Sequence, residues 1–158
     1  MTEQGNQQGG GATIAPDEVR RYLPHRYPFL LIDRAEDFVA HERITAIKAV
    51  GATEPYFPGH FPGNPIVPGV LLIETMGQAG ALLSAKSYDL RFAEQTIMFL
   101  AVEKARFRQP VRPGALLRVP VRLVRVRRNI HFYEGEVHDG DALCARCSFS
   151  AMAVDNHK

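Results

Sequence analysis

The sequence contains no tryptophan and only two cysteines among its 158 residues. Two thiols cannot build a disulfide framework. They stand as Cys144-x-x-Cys147 inside LCARCSFSAMAV, a stretch that reads as a strand. Positions three apart on a strand point to opposite faces, and no second cysteine pair exists to complete a zinc site. A structural pair is therefore the reading, over a redox or metal pair. No run of about 18 or more apolar residues occurs, so no membrane span is expected. The opening MTEQGNQQGGGA lacks the basic start and apolar stretch of a signal peptide. It is polar and glycine-rich, which makes residues 1–15 an expected flexible tail and the cytoplasm the default location. Nor is there a Ser-His-Asp order, a phosphate-binding glycine loop or a metal-ligand cluster. His25, His41, His131, His138 and His157 are too scattered for a metal site.

What is present fits one domain over residues 16–158, with 46% hydrophobic residues to build its core. Charge is divided unevenly. Residues 1–90 hold 7 Lys/Arg against 10 Asp/Glu, whereas residues 91–158 hold 12 against 7. The basic excess from Arg91 to Arg128 could suit an acidic partner, but on charge alone a solvated strand face is the favoured reading.

PDEVRRY (16–22) reads as a short helix, with Pro16 at its first position and Asp17 and Glu18 at the positive end of its dipole. FLLIDRAEDFVA (29–40) and RITAIKAV (43–50) read as successive strands, the second with Ile44, Ala46 and Val50 on one face. EPYFPGHFPGNPIVPG (54–69) carries five of the eleven prolines and is a stiff, ordered loop. VLLIETMGQAGALLSAKSY (70–88) reads as a helix whose first half has almost no polar face, hence one buried on all sides. Gly77 and Gly80 allow a neighbouring backbone to approach it. Strands follow near 96–109, 115–127, 130–138 and 142–154, with turns at Pro113-Gly114 and Asp139-Gly140 and a slip of alternation at Leu123/Val124 that marks a β-bulge. The expected class is α+β, an antiparallel sheet curled around one central helix. Its edges need cover, which a second subunit supplies.

Chemistry concentrates at the loop and the helix start. His60 sits on the rigid loop and takes a proton near neutral pH. Glu74 lies on an apolar helix, where a carboxyl is costly to ionise, so its pKa is expected to rise and leave it able to donate. The N–H groups of Gly69 and Val70 open the helix and suit a carbonyl oxygen gaining charge. A histidine between prolines also reads as purely structural, and Glu74 also reads as half of a buried ion pair with an arginine. The residues alone leave these open.

Three segments in order and spacing decide between them: LPHRYPFLLIDR (23–34), GHFPGNPIVPGVLLIETMGQAGALL (59–83) and ARFRQPVRPGALL (105–117). They strongly resemble the 3-hydroxyacyl-acyl carrier protein dehydratases of type II fatty acid synthesis, the FabZ type, over about residues 16 to 154. The resemblance implies the hot-dog fold, a curved sheet around a long helix. It implies dehydration of (3R)-hydroxyacyl-acyl carrier protein to trans-2-enoyl-acyl carrier protein, with His60 as base, Glu74 as acid, Gly69 and Val70 N–H groups on the thioester carbonyl, and Gln78 orienting Glu74. It implies no cofactor, no metal and no nucleic acid. It implies a homodimer whose sites each take His from one subunit and Glu from the other, with dimers assembling to a hexamer. Acyl carrier proteins are acidic, so Lys104, Arg106, Arg108, Arg125, Arg127 and Arg128 become candidate docking residues. Gly77 departs from the family's common Ala, and no Trp stands near Phe132-Tyr133.

Three alternatives bear on the same residues. One is a related dehydratase of a specialised polyketide or lipid pathway. Another is an isomerising dehydratase, whose relatives typically carry Asp at the acid position, so Glu74 argues against it. The third is a non-catalytic hot-dog subunit that binds acyl carrier protein, against which the intact His60 and Glu74 argue.

Overall fold

Nineteen residues without an internal proline, rich in Leu and Ala, form one long helix, α2 (Gly69–Ser87), and everything else is arranged around it. In the computed structural model, which describes residues 10–157, α2 starts directly after Pro68. It ends where Asp89 turns left-handed (φ 51°) and Leu90 N–H closes on Ala85 O at 2.8 Å. The remaining elements are β1 (Ala12–Ile14), α1 (Pro16–Tyr22), β2 (Arg34–Val39), β3 (Arg43–Ala49), β4 (Gln95–Phe107), β5 (Leu116–Arg127), β6 (Ile130–Asp139) and β7 (Ala142–Asp155). The described strands make one sheet, order β1-β2-β3-β5-β6-β7-β4, antiparallel throughout.

The sheet wraps α2, which packs on β3, β4, β5, β6 and β7. Leu72, Met76, Ala79, Leu82 and Leu83 of the helix meet Ile44, Val119, Val121, Tyr133 and Phe149 of the strands, all buried. This is the hot-dog arrangement expected from the sequence. The slip at Leu123 is a register shift between Leu123 and Arg125 in the β5–β6 pair. Polar groups beside the helix pair with one another: Ser84 Oγ lies 2.7 Å from His131 Nδ1 and also meets the Tyr133 hydroxyl. Cys144 and Cys147 are free and buried, and burial pushes the Cys147 thiol up to about 11, so it stays protonated at neutral pH. No helix among the described residues is long and apolar enough to cross a membrane.

Three local expectations need correction. The tail expected over residues 1–15 falls partly outside the described residues, but residues 12–14 form β1, paired with β2, and Ile14 is buried. The strand expected from residue 29 starts only at Arg34. Leu31 and Ile32 are buried as a strand reading requires, yet Leu31 N–H goes to the Gln78 side chain at 3.0 Å rather than to a ladder. At Gly77 and Gly80 the close neighbour is an aromatic ring, not a backbone. A Cβ at Gly77 would fall against the Phe99 ring, with Cε2 at 2.6 Å, and one at Gly80 would meet Phe149 at 3.0 Å.

Candidate active site

The proline-rich loop holds His60 by successive tight turns. Phe57 N–H bonds Glu54 O, Gly59 N–H bonds Tyr56 O and His60 N–H bonds Phe57 O, each at 3.2 Å. Phe57 and Val67 are buried and anchor the two ends of this stretch, and Val67 N–H bonds Val111 O at 2.9 Å. Both the backbone and the ring of His60 clasp Ile66. The His60 carbonyl accepts Ile66 N–H at 2.9 Å, and His60 Nδ1 lies 2.7 Å from Ile66 O. A carbonyl oxygen only accepts, so Nδ1 carries the hydrogen and Nε2 is left with the lone pair. The ring stacks on Phe61 at 4.0 Å between centroids.

Glu74 sits on the second turn of α2 with its side chain 28% exposed, so it is not fully buried as its apolar surroundings in sequence suggested. One of its oxygens, Oε1, accepts from Gln78 Nε2 at 3.0 Å, the i,i+4 partner on the same helix face. Gln78 is buried, and its amide also donates to Phe29 O at 2.7 Å and accepts from Leu31 N–H. A single amide thus ties the segment 29–31 to the carboxylate. His25, in the turn after α1, approaches the same oxygen, with Nε2 3.6 Å from Glu74 Oε1.

At the head of α2 no side chain caps the helix and its first turn has no acidic residue. Among the described residues, no hydrogen bond claims the N–H of Gly69 or Val70, as the first turn of any helix permits. Unclaimed N–H groups at a helix start favour negative charge nearby. The absence of a side chain at Gly69 makes room for a ring of β4. The Phe107 ring fills that space, and a Cβ there would lie 2.8 Å from its Cε1.

Within one chain the structure brings Glu74, Gln78 and His25 together and gives His60 a separate set of partners. Among the described residues, no hydrogen bond or ion pair joins His60 to Glu74. Large hydrophobics are exposed on these elements: Val70 of α2 is 70% exposed, and Phe61 of the loop and Met98, Phe99, Leu100, Val102 and Phe107 of β4 are exposed. Phe99 and Phe107 touch α2 at Gly77 and Gly69, so these β4 residues and the first half of the helix share one face. Lys104, Arg106, Arg108, Arg125, Arg127 and Arg128 are all exposed. A concavity of about 670 Å³ opens between Arg43, Lys104, Arg106, Arg122, Glu134 and Arg146, and contains neither His60 nor Glu74. Sequence reasoning missed His25 and Phe107. Their partners lie 49 and 38 positions away, and no local spacing signals such a contact.

The FabA-like domain matches residues 23–147. Among curated proteins, one from Caulobacter sp. (strain K31), named 3-hydroxyacyl-[acyl-carrier-protein] dehydratase FabZ, is 48% identical over 147 residues, covering 93% of this chain and 90% of the relative. A protein of the same name from Rhizorhabdus wittichii is 46% identical, covering 90% and 92%. Among solved structures, the dehydratase heterocomplex ApeI:P from Xenorhabdus doucetiae matches with a TM-score of 0.71 at 17% identity, over 87% of this chain and 91% of that one. A thioesterase from Haemophilus influenzae matches with a TM-score of 0.54 at 16% identity, over 76% and 77%. At such identities the two structures speak to the fold alone.

Proposed function

The chain belongs to the FabA-like family, and from that premise we propose that it removes water from (3R)-3-hydroxyacyl thioesters on acyl carrier protein in fatty acid synthesis. The observation that carries this reading is the agreement over about nine-tenths of both chains with relatives named for that reaction. It is a hydro-lyase, and the geometry of His60, Glu74 and the helix start supports the following division of roles.

His60 Nε2, the ring nitrogen with the free lone pair, takes the proton from C2 of the acyl chain. Charge moves onto the thioester oxygen, which the Gly69 and Val70 N–H groups receive. The C3–O bond breaks as Glu74 gives its proton to the departing hydroxyl, and C2 and C3 become doubly bonded. One proton is taken and one is given, so water and a trans-2-enoyl thioester leave and no redox partner enters the balance. Gln78 fixes Glu74 Oε1, which leaves Oε2 to face the substrate. The two halves come from two subunits. An apolar face that carries Val70, Phe99 and Phe107 in water is costly to leave bare, and a second copy laid on it covers the face and brings its own His60 to Glu74. Dimers of this kind assemble further to a hexamer, in the cytoplasm. The exposed cations of β4 and β5 receive the acidic carrier protein.

Incubating the purified protein with 3-hydroxyacyl-acyl carrier protein is expected to yield the trans-2-enoyl product, read by its absorbance and by loss of 18 mass units, with no added metal or nucleotide. An unchanged substrate under conditions where the protein is folded and dimeric refutes the assignment.

A further inference from the structure

We propose that His25 is a positioning residue for the acid: a neutral imidazole whose Nε2–H, together with the Gln78 amide, holds Glu74 Oε1 so that the transferable proton resides on Oε2. The inference rests on the reading of Glu74 as the acid.

The ring of His25 is placed by its neighbour. Arg26 folds back on the turn, with Nη1 donating to Leu23 O at 2.8 Å and to His25 O at 2.7 Å, and Nη2 donating to Arg20 O at 3.0 Å. The backbone that carries the imidazole is thereby fixed. Of the two ring nitrogens, Nδ1 is buried with no hydrogen-bond partner, whereas Nε2 faces Glu74 Oε1 at 3.6 Å. A buried, unpartnered N–H on an imidazolium would be the costlier arrangement, because a charged donor forfeits more solvation than a neutral lone pair. The hydrogen therefore belongs on Nε2, aimed at the carboxyl. Burial, the largest influence, lowers the imidazole's basicity; the Glu74 charge opposes this and Arg26 adds to it. Glu74 from α2 and Arg26 from the same turn are the charged groups that act on the ring.

Two neutral donors on one carboxyl oxygen have a chemical consequence. An oxygen that accepts from Gln78 and faces the His25 N–H acts as the carbonyl oxygen of the acid, because the hydroxyl oxygen is the poorer acceptor, so the acidic hydrogen sits on Oε2. As the proton leaves for the C3 hydroxyl, charge arrives on the carboxylate and draws the His25 N–H from 3.6 Å into a full hydrogen bond. A fixed cation in this place would instead hold Glu74 as the carboxylate before substrate arrives.

The test uses two substrates that differ in how much acid assistance their departure needs. Elimination of water from a 3-hydroxyacyl thioester requires a proton on the leaving oxygen. Elimination of fluoride from the 3-fluoroacyl analogue needs the His60 base but little acid. In the full-length protein, His25→Phe is expected to lower kcat for the 3-hydroxy substrate about 10- to 100-fold with KM unchanged. Fluoride elimination should change less than about twofold, because the acid matters little there. His25→Gln, which keeps a neutral donor, restores most of the loss, and His25→Ala gives the same pattern as His25→Phe should the larger ring fold poorly. Equal losses on both substrates, no loss on either, or no rescue by Gln overturns the proposal. So does a change confined to KM, since His25 also borders a narrow cleft with Leu23, Pro24, Ala81, Leu90 and Ile97. Glu74→Gln is run alongside. If it is not spared on the fluoro substrate, the reading of Glu74 as the acid has failed rather than the role of His25.

Discussion

Replacing His60 by alanine is expected to lower kcat/KM for 3-hydroxyacyl-acyl carrier protein by about 10² to 10⁴-fold, the usual contribution of a positioned general base. The thermal midpoint and the oligomeric state should stay close to native. The catalytic loss follows from the tautomer: with Nδ1 tied to Ile66 O, Nε2 is the basic atom, and alanine removes it. The fold survives because the loop does not hang on the ring. Phe57 and Val67 remain buried at its ends. The His60 carbonyl still accepts Ile66 N–H, Phe61 and Asn64 exchange backbone hydrogen bonds, and Arg112 Nη1 still holds Asn64 Oδ1 at 2.8 Å. Steady-state rates combined with a melting curve separate the two effects.

Glu74→Gln is expected to be as damaging to turnover, about 10² to 10⁴-fold, and nearly silent structurally. An amide of the same shape offers Oε1 to Gln78 Nε2, so the tie from α2 to Phe29 O and Leu31 N–H persists. What an amide lacks is a proton acidic enough to follow the hydroxyl off C3. The loss should fall on kcat more than on KM, because the interaction removed operates as the bond breaks. Retained turnover in a folded Glu74→Gln protein contradicts the assignment of the acid.

Periodicity made most of the architecture legible. RITAIKAV, the long apolar helix and the four later strands have patterns that local sequence dictates, and the structure places them within a few residues of the expected limits. The failures have a common physical source in contacts between distant residues. FLLID looks like a strand, but its backbone is claimed by a glutamine side chain 47 positions on, and the ladder begins later. β1 hides in a polar, glycine-rich opening because its pairing is with β2. There Gly11 is required for close approach, since a Cβ would lie 2.6 Å from the Asp37 backbone, and its N–H bonds Asp37 Oδ1.

The same contrast holds at the site. His60, Gln78 and Glu74 stood out because a motif or an i,i+4 spacing marks them. His25 looked like one of several scattered histidines, and only the fold sets it against Glu74. The apolar first half of α2 implied burial on all sides, yet Val70 is open to solvent in a single chain. Sequence reports that a surface must be covered without telling which chain covers it.

The proposal that each site is shared between two subunits is tested most directly by mixing the two inactive variants. His60→Ala and Glu74→Gln homodimers are allowed to exchange subunits, and turnover is measured before and after. In a mixed dimer one site receives both substitutions and the other receives neither, so random exchange should raise activity from near zero to about one quarter of the native value. If His60 and Glu74 of one chain served the same site, every site in the mixture would carry one lesion. Activity that stays at background after exchange is demonstrated would then contradict the account.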